Sequence, residues 1–123
     1  MNATKKDIEN RHDIELFVNE FYNKVKVDDL LGPVFGNLNW PHHLPIMYNF
    51  WSSLLLGDQT YSGNPLQKHL PLAIDSKHFE QWLKLFIQTL DENFTGEKTA
   101  EAKLRAQSIA HIFQLRMGII KPK

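Results

Sequence analysis

The sequence predicts an all-α protein, because apolar residues recur at helical spacing along most of its 123 residues. No segment alternates convincingly between apolar and polar residues with the period of two that is typical of strands. Clusters of Gly, Pro and Asp separate the periodic stretches, as expected for turns between helices. The length fits one domain, and neither an internal repeat nor a linker is visible. We therefore expect one domain over residues 1–123, with flexible ends at 1–12 and 118–123.

The first helix is predicted from about Asp13 to Val27. Its apolar residues are spaced alternately three and one apart, so they fall on one stripe of the helix surface. The members of this stripe are Ile14, Phe17, Val18, Phe21, Tyr22 and Val25. Gly32 and Pro33 belong to the turn cluster that follows, and a short apolar turn over residues 30–35 is expected there.

Three further helices follow from the same spacing. The second begins near Trp40 and stops at Gly57, since glycine favours the backbone conformation that ends a helix. The third is capped by Asp75 or Ser76, and the fourth by Thr99. The alanines on the stripe of the fourth helix allow a neighbouring helix to approach closely; the whole stripe is Ala102, Ala106, Ile109, Ala110, Phe113 and Met117. Between the second and third helices the periodicity fails, and residues 66–70 have room for little more than one helical turn.

Composition excludes several classes of function. Lys plus Arg equals Asp plus Glu at 14 each, which removes the charge expected of a nucleic-acid or polybasic membrane-binding protein. The absence of cysteine excludes disulfides, iron–sulfur clusters, thiolate zinc sites and a cysteine nucleophile. Residues 1–11 lack an apolar signal segment, and residues 48–56 are far fewer than the ~20 needed to span a bilayer. A cytoplasmic protein is expected.

The six histidines are the main chemical resource of the chain. His12 and His111 lie off the apolar stripes and are expected at the surface. His78 falls in the first turn of its helix, where a neutral imidazole can accept a backbone N–H. His69 lies in the short turn, between clusters of Gly and Pro, and two interpretations remain open for it. It either caps that turn or ligates iron as a rigidly held neutral imidazole.

Three hydrogen-bond donors lie on otherwise apolar faces: Tyr22, His43 and Trp82. Flat apolar side chains accompany them, namely Phe35, Phe50, Trp51 and Phe86. Each of these residues alone is typical of an ordinary core, in which a buried Tyr or Trp finds some polar partner. Together they also favour a pocket for a planar cofactor.

Several ordered motifs point to one family. They are Phe21-Tyr22-Asn23-Lys24-Val25, Leu31-Gly32-Pro33-Val34-Phe35, Trp40-Pro41-His42-His43, Asn49-Phe50-Trp51-Ser52-Ser53, Tyr61-x-Gly63-Asn64-Pro65-Leu66-x-Lys68-His69 and His78-Phe79-x-x-Trp82-Leu83-x-Leu85-Phe86. With them, residues 13–117 resemble the group III truncated haemoglobins. The chain has no paired glycines, which agrees with this group because the other truncated groups use glycine pairs at helix junctions.

The resemblance implies a globin domain in which a two-over-two helical sandwich surrounds a non-covalently bound haem b. His69 corresponds to the proximal iron ligand, and Tyr22, His43 and Trp82 to distal residues that face the bound gas. Because neighbours on a helix point about 100° apart, at most one of His42 and His43 faces the iron, and the phase of the helix favours His43. The other residues that the resemblance places at the haem are Phe35, Met47, Trp51, Leu66, Lys68 and Phe86.

The function implied is binding of O₂, NO or CO at a five-coordinate iron in a polar pocket. Strong stabilisation of the ligand slows its release, which favours O₂, NO or peroxide chemistry in stress protection, with electrons from a reductase, over O₂ storage. Whether the protein is an enzyme, such as a haem-dependent dioxygenase or a peroxidase-like protein, stays open. Alternatives are a haem-based sensor, a six-coordinate electron carrier, a cofactor-free helical interaction module, and a non-haem metal site at His42, His43 and His69.

Overall fold

The computed structural model of the chain describes residues 5–35, 39–57 and 75–116, and within these ranges all regular structure is helical. The described helices are α1 Arg11–Val27, α2 Gly32–Phe35, α3 Trp40–Leu56, α4 Ser76–Asn93 and α5 Glu97–Arg116. The predicted all-α class is therefore confirmed. Within the described part of the chain, no helix is long and apolar enough to cross a membrane.

Local capping residues explain one terminus in each of three helices: the start of α1, the end of α3 and the start of α4. α1 begins two residues before the predicted position, because the side chain of Asn10 accepts the N–H of Asp13 at 3.1 Å. α3 ends as predicted at Gly57, which adopts a left-handed conformation with φ +71°. At the start of α4, the Asp75 carboxylate accepts the Lys77 N–H, and Nδ1 of His78 accepts the Asp75 N–H at 3.1 Å. This reciprocal capping box confirms the predicted roles of Asp75 and His78.

The start of α5 differs from the prediction. The helix begins at Glu97, so Thr99 lies inside its first turn and does not cap it. The capping carboxylate comes from Asp7, which accepts the N–H groups of Lys98 and Thr99 at 2.8 and 2.9 Å and the Thr99 hydroxyl at 2.8 Å. Gly96 precedes the helix with φ +135°, and a Cβ there would lie 2.6 Å from the Asp7 side chain. Thr99 was predicted as the cap because the actual capping residue, Asp7, lies about ninety residues away in the sequence.

The described part of the N-terminal segment also differs from the expectation of a flexible end over residues 1–12. Ile8 is buried in the core. The backbone carbonyl of Lys6 accepts the Thr95 N–H at 3.0 Å, and its ammonium lies 2.6 Å from the Asp13 carboxylate. These contacts, together with the Asp7 cap, fasten residues 5–10 to the rest of the fold. The expected flexible end at 118–123 lies outside the described residues.

The long helices pack as two pairs. α1 packs against α3, and α4 against α5; between the pairs, α1 contacts α4 and α3 contacts α5. This arrangement agrees with the expected two-over-two packing. Phe86 is fully buried at its centre, where its ring lies 4.8–5.7 Å from the ring centroids of four aromatic side chains: Phe17, Phe21, Trp51 and Trp82. Edge-to-face and stacked contacts of this kind stabilise a core beyond simple burial.

Candidate functional site

A largely apolar cavity lies between the two helix pairs. Its empty space, counted together with the open solvent at its mouth, is about 620 Å³. Its described lining comes from every helix: Tyr22, Leu31, Phe35, Met47, Phe50, Trp51, His78, Phe79, Trp82, Ile109, Ala110 and Phe113. Among these residues none is an Asp, Glu, Lys or Arg. The wall therefore suits a mainly apolar, flat occupant.

Tyr22 is the buried phenol of this cavity. It lies on the inward stripe of α1, and only 3% of its surface is exposed. Burial raises the pKa of the Tyr22 phenol well above its ordinary value, and a hydrogen bond from the Trp82 indole opposes that rise in part. The phenol thus stays neutral near pH 7. Because a neutral phenol carries its proton, its O–H can be donated to an occupant of the cavity.

The position of Trp82 is fixed by its aromatic neighbours on two helices. Its ring stacks on Phe86 at 5.5 Å with planes 18° apart, and it meets the ring of Phe21 edge-to-face at 5.7 Å. Phe86 does not itself line the cavity but supports Trp82 from behind. This packing restrains the indole beside Tyr22, whose pKa its N–H influences, and the two side chains line the same cavity.

His43 is the inward-facing histidine of α3. It is buried, whereas His42 is exposed, as the helical phase predicts. Its ring meets Tyr22 at 5.4 Å and Trp40 at 5.6 Å, in both cases edge-to-face. His43 therefore lies beside the Tyr22 end of the cavity, although it is not among the lining residues. Because adjacent histidines face different ways here, these two do not converge on one metal ion.

The remaining predicted site residues divide into two groups. Phe35, Met47 and Trp51 are buried and line the cavity next to Tyr22 and Trp82, as the predicted pocket requires. His69, with its predicted neighbours Leu66 and Lys68, lies outside the described residues. Within the described ranges, no group of three or more His, Cys, Asp or Glu side chains could hold a metal ion.

Part of the cavity wall was not predicted as a site. Phe79, Ala110 and Phe113 form a small separate apolar cluster, and they join Ile109 in lining the cavity. Ala110 and Phe113 belong to the predicted apolar stripe of α5. A helical stripe alone, however, does not show whether it faces a packed core or a cavity. His78 was expected only as a cap, and it also lines the cavity.

Comparison with known proteins decides the family. The sequence model of the bacterial-like globin family matches residues 7–116. The chain belongs to this family. The match includes α1 to α5 and therefore every described residue that lines the cavity.

Two further comparisons narrow the resemblance. This globin is 39% identical over 112 residues to "Group 3 truncated hemoglobin ctb" of Campylobacter jejuni, covering 85% of this chain and 88% of that protein. It is also similar to the crystal structure of the group III truncated hemoglobin from Campylobacter jejuni, with a TM-score of 0.82 and 37% identity. That superposition covers 93% of this chain and 95% of the other. The predicted resemblance to group III truncated haemoglobins and the predicted fold are thus confirmed.

Membership of this family makes haem the implied cofactor. The chemistry of the cavity fits such a group, because its walls are aromatic and aliphatic and it opens at a mouth. Phe35, Met47 and Trp51 would provide apolar contact surface to it, and Tyr22 and Trp82 would provide polar donors. The protein is accordingly a haem-binding globin.

Proposed function

We propose that this globin binds haem b non-covalently, with His69 as the iron ligand, and takes up O₂ or NO-type diatomic ligands at a five-coordinate iron. The proposal treats residues 1–123 as a single globin domain. A bound haem supplies an iron atom with an open coordination position for a small ligand. The described residues supply the apolar walls and the donor that would face that ligand.

The observation that carries the proposal is the buried Tyr22 beside the partly buried Trp82 in an apolar cavity. The Trp82 side chain acts on the Tyr22 phenol as an N–H donor that lowers its pKa, so the phenol's own proton is available for donation. A hydrogen bond is stronger in a water-poor, low-dielectric cavity than in solution, and linked hydrogen bonds reinforce one another. A diatomic ligand with partial negative charge is therefore stabilised beside Tyr22.

This stabilisation acts mainly on ligand release. One hydrogen bond contributes roughly 1 kcal/mol or more, and about 1.4 kcal/mol corresponds to a tenfold change in rate. A globin that releases its ligand slowly is poorly suited to O₂ storage or delivery. We therefore place its role in O₂, NO or peroxide chemistry during stress protection, with a reductase as electron donor.

The test is the O₂ dissociation rate of the haem-loaded protein. Tyr22→Phe removes the phenol donor, and we expect release to accelerate by about tenfold. The loss is limited because the Trp82 N–H, no longer directed to a phenol oxygen, can turn to the ligand. Trp82→Phe alone should accelerate release by less than about threefold, because the phenol donor remains. Removal of both donors in Tyr22→Phe/Trp82→Phe should accelerate release by about a hundredfold, more than the product of the two single changes.

Tyr48→Phe is the matched control, since the Tyr48 hydroxyl donates to Asn19 and does not line the cavity. Its O₂ release should equal that of the wild type. Unchanged release in both single variants and in the double variant would contradict the proposal.

The cavity also weighs against a cofactor-free interaction module. Apolar side chains around an open space forfeit dispersion contacts that an occupant would restore. The aromatic and aliphatic lining of this cavity therefore favours an apolar occupant, which a module without a cofactor does not supply.

A further inference from the structure

His78 is the polar side chain in the part of the cavity wall that α4 and α5 provide beyond Trp82. The other wall residues there are apolar: Phe79, Ile109, Ala110 and Phe113. The imidazole is mostly buried, with 13% of the side chain exposed. Neither the capping role of His78 nor the Tyr22–Trp82 pair explains why a histidine borders this apolar space.

The backbone cap favours one position for the proton of the His78 ring. When Nδ1 accepts the Asp75 backbone N–H at 3.1 Å, a neutral imidazole carries its proton on Nε2. The Asp75 carboxylate lies 3.2 Å from the same Nδ1 and is itself held by the Lys77 N–H. Within the described ranges, every side-chain hydrogen bond of His78 is made by Nδ1. In this tautomer the Nε2–H is a donor that neither of these hydrogen bonds uses.

The chemistry of the proposed occupant supplies an acceptor. Haem b carries two propionate carboxylates on an otherwise apolar ring, and an apolar wall gives such a group no compensation for lost water. The described wall contains no Lys or Arg, and the Trp82 N–H is directed to Tyr22. The Asp75 carboxylate is exposed, so water screens its repulsion of another anion.

We infer that His78, through Nε2–H, binds a carboxylate of the molecule that fills the cavity. This inference rests on the proposed function, in which that molecule is haem. It makes His78 a binding residue that sets how the ring is seated, separate from the residues that face the gas ligand.

The test compares two metal-free porphyrins that differ only at their carboxyl groups. The chain without haem is titrated with protoporphyrin IX and with its dimethyl ester, and quenching of Trp fluorescence gives each Kd. The ratio of the two Kd values reports recognition of the carboxylates, because changes in fold or cavity shape affect both porphyrins. In His78→Phe the preference for the free acid should fall about tenfold relative to the wild type, or ~1.4 kcal/mol.

Two control variants separate the hydrogen bond from other effects. His78→Gln keeps an acceptor for the Asp75 N–H and a side-chain N–H donor, so it should retain the preference to within about threefold. Lys77→Gln removes a neighbouring positive charge and keeps the donor, so its ratio should match the wild type. An unchanged ratio in His78→Phe, or an equal loss in Lys77→Gln, overturns the inference and leaves the proposed function standing. If the wild-type chain binds neither porphyrin, the proposed function fails, and the inference fails with it.

Discussion

Asp7 connects the N-terminal segment to the last helix, and its replacement by alanine should destabilise the fold. Its carboxylate accepts two N–H groups in the first turn of α5 and the hydroxyl of Thr99, which is buried. Loss of a helix N-cap costs ~1 kcal/mol, and an unsatisfied buried hydroxyl costs at least about as much again. Asp7→Ala should therefore lower the free energy of unfolding by about 2–3 kcal/mol.

Urea unfolding followed by circular dichroism measures this loss. Asp7→Asn keeps one acceptor oxygen but removes the negative charge at the helix N-terminus, so it should cost about 1 kcal/mol. Asp29→Ala, at an exposed aspartate in the turn before α2, is the control and should stay within about 0.5 kcal/mol of the wild type. A loss below about 0.5 kcal/mol in Asp7→Ala would refute the long-range cap.

Two further predictions concern the same junction. Gly96→Ala should cost at least about 2 kcal/mol in urea unfolding, since φ is +135° and the new Cβ would meet Asp7; Gly57→Ala, at φ +71° in open space, should cost only ~1 kcal/mol. Partial burial alone would raise the pKa of the Asp7 carboxyl, but its hydrogen bonds from Lys98 and Thr99 outweigh this and lower that pKa. The stabilisation from Asp7 is therefore complete above its unfolded pKa of about 3.9 and is lost as pH falls through the lower folded pKa. Asp7→Asn should lose less stability than the wild type between pH 5 and 2, and identical acid profiles would contradict this.

Sequence alone predicted the helices whose signals are local. The apolar stripe of α1, the glycine after α3 and the Asp75–His78 capping box each act within a few residues, so their pattern can be read along the chain. The start of α5 depends on contacts between Asp7 and Thr99, 92 positions apart. No local pattern in the sequence shows such a pair. Thr99 was therefore predicted as the helix cap, and residues 5–10 were predicted as part of a flexible end.

For the candidate site, too, the sequence predicted features set within one helix but not features set by the packing of two helices. The helical phase predicted that Tyr22 and His43 point inward, because both lie on helix faces whose other members are apolar. Both side chains are buried in the structure. The pairing of Tyr22 with Trp82 depends on how α1 and α4 pack, and the sequence gives no measure of that packing. The residues around His78 in the sequence indicate only a helix cap. That the same side chain also lines the cavity depends on how the helices pack, which the sequence does not show. The ligand role of His69 rests on the resemblance and stays a prediction.

Haem uptake by the purified chain tests the central claim most directly. Haemin titration should give a Soret band that saturates at one haem per chain. Ala110→Trp places an indole in the cavity from α5 and should weaken uptake at least about tenfold, whereas Ala100→Trp, at an exposed site on the same helix, should not. Absence of a saturable Soret band in the wild type, or equal uptake by the two variants, would contradict haem binding in this cavity.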